Sequence, residues 1–551
     1  MQVTKLGDPV QSVAWSPAGD WLAYDVAPGG GLNVQVHVVR PDGSGDRMVT
    51  TGGASNNQLF GWTQDGKRLR IASAAVDPSR FQTQLVDPVT GAVQDVGKPA
   101  NRQQLPVVAR DGRFAVIERL VTRGDSNVWI VDLASGAERL VTPHDGRAQF
   151  SVAGLSPDGR TLWVVGNAAQ DNYALGVVDI DPAGKPGPMR TVLARADAEL
   201  ENATLSDDGR TIALVWNRGG RSELGWFDTA TGKARAAGML PVDLVGGLDF
   251  APDGRSLVFT GTGAAAPANL YRIGVADNAL ARLTDSAHAG VDLGTLVRPR
   301  LLEWQARDGV KLSGWLYTPA GSTGPQPVVF IYHGGPEGQS RPSLSGDIQA
   351  LVASGISVLA PNVRGSTGAG KRFAELDNGP LRVNGVNDIA DTSDYLVTSG
   401  IADARRLGIM GGSYGGYMVM AGVTEFPRMF AAGVNLYGVV NFDTFFKNTQ
   451  PWMAAISTVE YGDPVKDKAM LAALSPLNKI GVVTTPLFVL HGANDTNVPV
   501  IEAEQIVASL KARNVPVEYM LFPDEGHGWR KLTNRVRSTT AIVAFFKAKL
   551  G

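Results

Sequence analysis

The segment from Met410 to Gly416 places one serine, Ser413, among four glycines and reads as the motif G-x-S-x-G. Residues 406–410 before the motif are strand-like, and residues 417–423 after it follow a helical pattern. A tight turn from strand to helix of this kind exposes the serine hydroxyl as a nucleophile. Glycine suits the strained backbone of such a turn because it has no Cβ. The motif alone is also compatible with an ordinary glycine-rich turn that contains a serine by chance. Whether Ser413 is a nucleophile therefore depends on the residues that could activate it.

A serine hydroxyl becomes an effective nucleophile when a base takes its proton and a third group orients that base. In hydrolases with this motif the three groups follow the order serine, acid, histidine. The chain has six histidines, which are His37, His144, His288, His333, His491 and His527. Only the last two follow Ser413. His491 ends an apolar run and is expected to be structural, whereas His527, with a glycine on each side, is predicted to be the base.

The acid of this triad is predicted to be Asp495. It lies in the loop that follows the apolar run 486–490, and an acid just past a strand end fits the chain order of such hydrolases. Three other acids compete, namely Asp443, Asp524 and Glu525. Acids in nearby loops are more often solvated or turn-forming than catalytic, so Asp495 is favoured over all three.

The negative charge that develops on a substrate carbonyl oxygen needs fixed hydrogen-bond donors. One donor is predicted to be the backbone N–H of Tyr414, the residue after the nucleophile. The second comes from an early loop of the sheet, where the strand-like run 328–332 leads into His333-Gly334-Gly335-Pro336. The N–H of Gly335 is therefore the second predicted donor of an oxyanion hole.

A phrase of turn residues recurs six times in the first half of the chain, and its fourth residue is always glycine. These glycines are Gly19, Gly66, Gly112, Gly159, Gly209 and Gly254, at steps of 45 to 50 residues. A short run rich in β-branched or aromatic residues follows each phrase. Repeats of this length with regular turn signals predict the blades of a β-propeller, with each phrase closing a hairpin inside one blade.

The sequence thus predicts two domains, a β-propeller over residues 1–295 and an α/β-hydrolase domain over residues 296–551. The hydrolase domain is expected to contain a doubly wound, mostly parallel sheet, and residues 302–317 read as a hairpin that leads into it. A chain of 551 residues is long enough for two large domains, each with its own core.

The second half resembles the catalytic domain of the prolyl oligopeptidase family of serine peptidases, in particular the acylaminoacyl-peptidase-like branch. The matching segments are His333–Pro336, Pro361–Gly368, Gly411–Gly416, His491–Asp495 and Glu525–Gly528. The resemblance implies that Ser413, Asp495 and His527 form the triad of a peptidase acting on short peptides, with the propeller gating access. His333 stands where the prolyl-specific branch has a tyrosine donor, which favours backbone donation through Gly335. The family also implies seven blades, and residues 2–6 resemble the outermost strand of a preceding blade.

Specificity is less well marked. The resemblance places the pocket for the residue before the cut after the sixth sheet strand, with Val439, Phe442 and Phe445 as candidates, although a core helix explains these residues equally well. A dipeptidyl-peptidase would need an acidic anchor for the substrate amino group. The propeller has no adjacent pair of glutamates, and Glu199 and Glu201 are expected on a solvated loop. A carboxylesterase using the same triad and a non-catalytic scaffold are the remaining alternatives.

Composition excludes several other classes. The net charge of −2 gives no support for binding nucleic acid or an anionic membrane, and no apolar run is long enough to span a membrane. Residues 365–371 match most of a phosphate-binding loop, but Arg372 stands where Ser or Thr should hold magnesium, so an ATPase is rejected. We expect no cofactor and no metal. The absence of cysteine is compatible with either the cytoplasm or the periplasm, and no signal-peptide pattern is visible. We expect the cytoplasm, with the periplasm open if a leader has been removed, and a homo-oligomer is also left open.

Overall fold

The computed structural model describes residues 3–551, and these residues form seven β-sheets. Six of the sheets are antiparallel, have four strands each and follow one another along the chain. Their strands are β1 (Val10–Trp15), β2 (Leu22–Val26), β3 (Gln35–Val39), β4 (Arg47–Met48), β5 (Asn57–Trp62), β6 (Leu69–Asp77), β7 (Arg80–Val86), β8 (Val93–Ala100), β9 (Arg102–Val108), β10 (Phe114–Thr122), β11 (Asp125–Asp132), β12 (Glu138–Leu140), β13 (Phe150–Leu155), β14 (Thr161–Gly166), β15 (Ala174–Asp179), β16 (Arg190–Leu193), β17 (Glu199–Leu205), β18 (Thr211–Arg218), β19 (Arg221–Asp228), β20 (Lys233–Ala236), β21 (Leu244–Phe250), β22 (Ser256–Gly263), β23 (Ala266–Gly274) and β24 (Leu280–Arg282). This is the predicted β-propeller.

Each recurring turn phrase connects the first and second strands of one blade, as predicted. The six glycines have φ between 68° and 74°, a left-handed conformation that glycine adopts without the steric cost of a Cβ. Buried apolar residues then join neighbouring blades. One such cluster combines Phe114 and Val116 of β10 with Leu162 and Val164 of β14. The repeat of turn and apolar strand therefore accounts for the stacking of the blades.

The structure has six blades within residues 3–551 rather than the seven that the family resemblance implies. Residues 3–6 form no strand, in contrast to the outermost strand that we predicted from residues 2–6. Residue 2 lies outside the described residues. Val3 instead packs beside a small apolar cluster of the first blade that contains Leu22 and Tyr24.

The seventh sheet has eight strands in the order β25-β26-β28-β27-β29-β30-β31-β32. They are β25 (Arg300–Gln305), β26 (Lys311–Tyr317), β27 (Gln326–Tyr332), β28 (Ser357–Asn362), β29 (Ala402–Gly412), β30 (Ala432–Leu436), β31 (Leu487–Gly492) and β32 (Val517–Phe522). The helices between and after them are α1 (Gly346–Ala353), α2 (Lys371–Ala374), α3 (Arg382–Thr398), α4 (Tyr414–Glu425), α5 (Phe442–Asn448), α6 (Pro451–Tyr461), α7 (Lys468–Leu474), α8 (Ile501–Ala512) and α9 (Leu532–Leu550). All pairings except those of β25 with β26 and β26 with β28 are parallel, which matches the predicted hairpin and the mostly parallel sheet.

Helices cover both faces of this sheet. Apolar residues of α3, α4 and α8 pack on one face in a cluster that includes Val328 and Phe330. Residues of α1 and α9 pack on the other face in a cluster that includes Val329. Because successive residues of a strand point to opposite faces, the apolar run in β27 serves both layers. The loops after the parallel strands therefore meet at one edge, where ligands of open α/β sheets bind.

The two domains are in direct contact. The last blade strand ends at Arg282 and the first strand of the large sheet begins at Arg300. The predicted boundary at residues 295/296 lies between them and stays a prediction. Lys371, from the rejected phosphate-binding motif, lies at the contact and donates to the carbonyl oxygens of Arg147 at 3.1 Å and Asn167 at 3.4 Å. Within residues 3–551 no helix combines the length and apolarity needed to cross a membrane.

Candidate active site

Ser413 lies in the sharp turn between β29 and α4, as the motif predicts. Its φ of 58° and ψ of −121° are unusual for a residue with a side chain. Such strain persists where the surrounding structure enforces it, and it is common at functional sites. A Cβ on Gly415 would lie 2.2 Å from the carbonyl oxygen of Tyr332, and a Cβ on Gly416 would lie 2.4 Å from the Cα of Gly438. The glycines after the serine are therefore required by close backbone contact.

Asp495 and His527 form a direct hydrogen bond, with Oδ2 of the aspartate 2.7 Å from Nδ1 of the ring. The other oxygen, Oδ1, accepts the backbone N–H groups of Asn497 and Val498 at 2.9 Å each. Asp495 is nearly inaccessible, with 6% of its surface exposed. The carboxylate is thus fixed in a pose that keeps the proton on Nδ1. Nε2 of His527 is left with the lone pair that a general base needs.

The nucleophile turn and the histidine loop meet at Tyr437, a residue that sequence reasoning missed. The Tyr437 ring centroid is 4.7 Å from that of His527. The same ring closely approaches Gly412, where an added Cβ would lie 2.8 Å from Cε2 of the tyrosine. Tyr437 has a positive φ of 37°, which is rare for an aromatic residue. Its place directly after β30, at the edge where the functional loops meet, was the only sequence signal for it.

The predicted oxyanion donors lie on both sides of the nucleophile. Tyr414 is the first residue of α4, so its N–H has no partner inside the helix and lies at the positive end of the helix dipole. The loop after β27 approaches from the other side, because a Cβ on Gly334 would lie 3.3 Å from the Cβ of Ser413. Gly335 has φ of 136°, a conformation that glycine adopts most easily.

His333 holds this loop in place. Its Nδ1 is 2.9 Å from the carbonyl oxygen of Gly334, and its Nε2 is 2.8 Å from the hydroxyl of Ser366. Burial lowers the pKa of His333 below its ordinary value, which favours a neutral ring. His333 therefore holds the loop that carries Gly335 in place, and both of these ring contacts are structural rather than those of an acid–base catalyst.

His491 is fully buried and donates from Nε2 to the carbonyl oxygen of Val498 at 2.8 Å. That bond fits the structural role predicted for it. The three competing acids have partners of their own. Asp443 pairs with Lys447 at 2.7 Å, Asp524 pairs with Lys531 at 2.9 Å, and Glu525 accepts backbone N–H groups of the loop after it.

The candidate pocket residues Val439, Phe442 and Phe445 are all buried, with at most 3% of their surfaces exposed. Phe442 and Phe445 belong to α5 and contact the ring of Tyr461, at centroid distances of 4.9 Å and 6.0 Å. They are part of the large core cluster of the hydrolase domain. Their role as the substrate pocket stays a prediction.

One expectation about the propeller is wrong. Glu199 does not lie on a solvated loop; it begins β17, is only 6% exposed and accepts the N–H of Gly370 at 2.9 Å. Glu199 and Glu201 line a cavity of about 610 Å³ between propeller and hydrolase, together with Glu118. Glu201 lies at an irregularity in the pairing of β17 with β18, so regular alternation along the strand does not by itself place the two carboxylates together. The spacing of the two glutamates in the sequence therefore did not indicate this arrangement, and the strand was not recognised.

Comparison with known proteins agrees with this geometry. Residues 342–551 match the model of the prolyl oligopeptidase family. Dipeptidyl aminopeptidase BIII of Pseudoxanthomonas mexicana is 28% identical over an alignment that covers 99% of this chain and 88% of that protein. Acylamino-acid-releasing enzyme 1 of Oryza sativa subsp. japonica is also 28% identical, but over 40% of this chain and 30% of its own length.

Solved structures show the same fold over nearly the whole chain. A prolyl endopeptidase structure has a TM-score of 0.86 at 19% identity and covers 99% of this chain and 83% of its own. The acylaminoacyl peptidase of Pyrococcus horikoshii has a TM-score of 0.74 at 20% identity, with coverages of 98% and 88%. With the matched family model, the strained serine turn and the hydrogen-bonded acid and histidine, the conclusion is that residues 342–551 form a domain of the prolyl oligopeptidase family and that the protein is a serine peptidase.

Proposed function

We propose that the protein hydrolyses short peptides with Ser413 as nucleophile, His527 as general base and Asp495 as the group that orients the imidazole. The hydrogen bond of 2.7 Å between Asp495 and His527, in loops that meet the Ser413 turn at Tyr437, carries this proposal. Buried and fixed by two backbone N–H groups, Asp495 has the features of an acid that selects one tautomer of its histidine.

The proposed reaction has two halves. Ser413 Oγ attacks the peptide carbonyl carbon while Nε2 of His527 takes the hydroxyl proton, and the resulting oxyanion is held by the N–H groups of Tyr414 and Gly335. His527 then gives that proton to the leaving amine as the C–N bond breaks. Water then attacks the acyl-enzyme while Nε2 of His527 takes one of its protons, and His527 returns that proton to Oγ as the C–O bond to Ser413 breaks and the carboxylic acid is released.

The propeller is proposed to restrict access to short or unfolded chains. Its loops touch the loops of the proposed acid and base. Nδ2 of Asn494 donates to the carbonyl oxygen of Gly29 at 3.0 Å, and the Leu32 N–H donates to the hydroxyl of Thr496 at 3.1 Å. The turns at the opposite ends of the blades also meet, since Gln64 of the second blade donates to Asp207 of the fifth at 3.3 Å. Both contacts favour a narrow route to the cavity.

Profiling the purified protein against a mixed library of free and N-acylated short peptides tests this function, with Ser413→Ala as the matched control. We expect cleavage of short peptides by the wild type and none by the variant. A fluorophosphonate should label Ser413 in the folded protein, and the absence of an adduct would contradict the proposed nucleophile. Ready digestion of native globular proteins would contradict the proposed gate.

A specific observation also favours release of dipeptides from free amino termini. Burial raises the pKa values of Glu118 and Glu199 to about 7, and both carboxyls line the cavity without a cation bound to them among residues 3–551. A protonated substrate amine would supply that cation. One relative that is aligned over nearly the whole chain is a dipeptidyl aminopeptidase, which supports the same mode. The peptide library separates the two modes, since dipeptide release requires unblocked peptides and acylaminoacyl release requires blocked ones.

A further inference from the structure

A buried arginine, Arg382, lies beside the proposed oxyanion hole and has no part in the reaction as proposed. It is the first residue of α3, and its side chain is fully buried. Nη1 donates to Oδ2 of Asp377 at 2.7 Å, and Nη2 donates to the carbonyl oxygen of Glu460 at 3.0 Å and to its carboxylate. Removing a guanidinium and two carboxyls from water is unfavourable unless their mutual pairing offsets the lost hydration. A buried guanidinium with this cost is expected to have a specific role.

The first contact that indicates a role for Arg382 is with Tyr414. The Arg382 Cζ is 4.9 Å from the Tyr414 ring centroid, and the Tyr414 hydroxyl donates to Oδ2 of Asp377 at 3.1 Å. Asp377 therefore receives both the guanidinium and the phenol on one oxygen. Since Tyr414 also provides a proposed oxyanion donor through its N–H, its side chain anchors the residue that must present that N–H.

The second contact is with Tyr461, at the end of α6. The Arg382 Cζ is 5.0 Å from the Tyr461 ring centroid. The Tyr461 hydroxyl donates to the carbonyl oxygen of Gly335 at 3.4 Å. Gly335 carries the other proposed donor, and with no side chain of its own it can be held only through its backbone. Tyr461 supplies that hold, and Arg382 supports Tyr461.

We propose that Arg382 is a positioning residue that fixes both oxyanion donors, because it holds Tyr414 and Tyr461 on its guanidinium. This inference rests on the proposed function, since it presumes the Tyr414 and Gly335 donors. Oxyanion donors act through preorganisation, so a small displacement of either one weakens transition-state binding more than substrate binding. A planar guanidinium stacks on two rings and donates along fixed directions, whereas a lysine ammonium provides neither property.

The test uses variants that remove one contact each, namely Tyr414→Phe, Tyr461→Phe and Arg382→Lys. Tyr519→Phe is the matched control, because the buried Tyr519 hydroxyl has no hydrogen-bond partner within residues 3–551 and belongs to β32. For each protein we would measure kcat, KM and the inhibition constant of a peptidyl trifluoromethyl ketone. Attack by Ser413 on this ketone forms a charged hemiketal oxygen that mimics the oxyanion.

We expect each of the three variants to lower kcat about 5- to 50-fold with KM changed less than about twofold. The trifluoromethyl ketone should bind more weakly by the same factor as kcat falls, and Tyr519→Phe should leave all three constants unchanged. A purely structural role would lower the melting temperature without this parallel loss. Values of kcat and of the inhibition constant within twofold of wild type in both phenylalanine variants would overturn the inference, even if Arg382→Lys failed to fold.

Fluorophosphonate labelling distinguishes this failure from failure of the proposed function. Wild-type protein that is not labelled at Ser413 would overturn both the nucleophile and the inference that depends on it. Normal labelling of wild type, with the same labelling rate in Tyr414→Phe and Tyr461→Phe, would overturn the inference alone. We expect slower labelling in both variants, because the phosphonyl oxygen occupies the same donors.

Discussion

Two pairs of carboxyls, three of them buried and one half-buried, lie near the proposed site, and they differ in how their charge is balanced. In the hydrolase domain, Asp377 and Glu460 both bind the guanidinium of Arg382. In the propeller, Glu118 accepts the N–H of Val152 at 2.6 Å, and Glu199 accepts the N–H of Gly370. Neither propeller carboxyl forms an ion pair within residues 3–551.

This difference separates a positioning cluster from a binding site. Asp377 and Glu460 are fully buried against their guanidinium, so no ligand can reach them. The propeller carboxyls line a cavity of about 610 Å³, where a cation can reach them. Burial raises the pKa values of Glu118 and Glu199 to about 7, and it also raises those of Asp377 and Glu460, so access to the cavity rather than the pKa distinguishes the propeller pair. The closed pair in the hydrolase domain can therefore only hold its neighbours in place, whereas the open pair in the propeller can bind an amine.

The largest effect is expected from Arg382→Met, which removes the cation from the closed cluster. Two carboxyls would remain buried with no guanidinium between them, and loss of one partner of a buried pair typically costs about 3–5 kcal/mol of unfolding free energy. Urea denaturation of the wild type and the variant at the same pH measures this cost. A change below about 1 kcal/mol would show that the cluster is not held by its charges.

A smaller effect is expected from Glu199→Gln, which removes a charge from the open pair. If Glu199 binds the substrate amine, KM for a free dipeptidyl amide should rise about tenfold, whereas KM for the N-acetylated peptide should stay unchanged. Unfolding free energy at neutral pH should not fall and is expected to rise, because the carboxyl has no ion-pair partner to lose within the described residues and its raised pKa means that the folded state opposes its charge. Steady-state kinetics with the two substrates measures the ratio.

The matched control is Glu201→Gln, since Glu201 lines the same cavity but already pairs with Arg341 at 2.7 Å. It should leave the preference between free and acetylated substrates as it is in wild type. Equal changes for both substrates in Glu199→Gln would contradict an amine anchor at this position.

The pH dependence of stability gives a third test. Burial raises the pKa of Glu460 from 4.5 to about 8 despite the nearby guanidinium, so the folded protein holds a proton there that the unfolded chain releases. Stability from this group is therefore complete below about pH 4.5 and is lost as pH rises to about 8. Urea midpoints at pH 6 and pH 8.5 should fall less in Glu460→Gln than in wild type. An equal fall of the urea midpoint between pH 6 and pH 8.5 in the two proteins would show that a group other than Glu460 causes the pH dependence.

The sequence was sufficient for the parts of the site that depend on local rules. The glycines around Ser413 are required by close backbone contacts, and the turn phrases are required by hairpins with a left-handed glycine, so both could be recognised in the chain alone. The order of Ser413, Asp495 and His527 follows the order of the parallel strands. The 2.7 Å bond between the last two agrees with it.

The parts that could not be predicted depend on contacts between distant segments. Arg382, Tyr461 and Gly335 come from three separate parts of the hydrolase domain, and nothing near Arg382 in the chain marks it as different from a solvated arginine. Glu199 was assigned to a solvated loop because its burial depends on Gly370, a residue of the other domain. Burial and charge balance depend on contacts formed in the folded structure, so local sequence patterns do not predict them.

The smallest effect is expected from Asp443→Asn, because Asp443 is an exposed carboxylate, in contrast to the carboxyls compared above. Asp443 lies near the start of α5 and pairs with Lys447 one turn later at 2.7 Å, with both side chains more than half exposed. Exposed pairs of this spacing contribute about 0.3–0.5 kcal/mol, because water and salt screen them. The melting temperature and kcat should therefore stay close to wild type. A tenfold loss of kcat at an unchanged melting temperature would instead implicate this carboxylate in the chemistry, and the assignment of Asp495 as the only triad acid would have to be withdrawn.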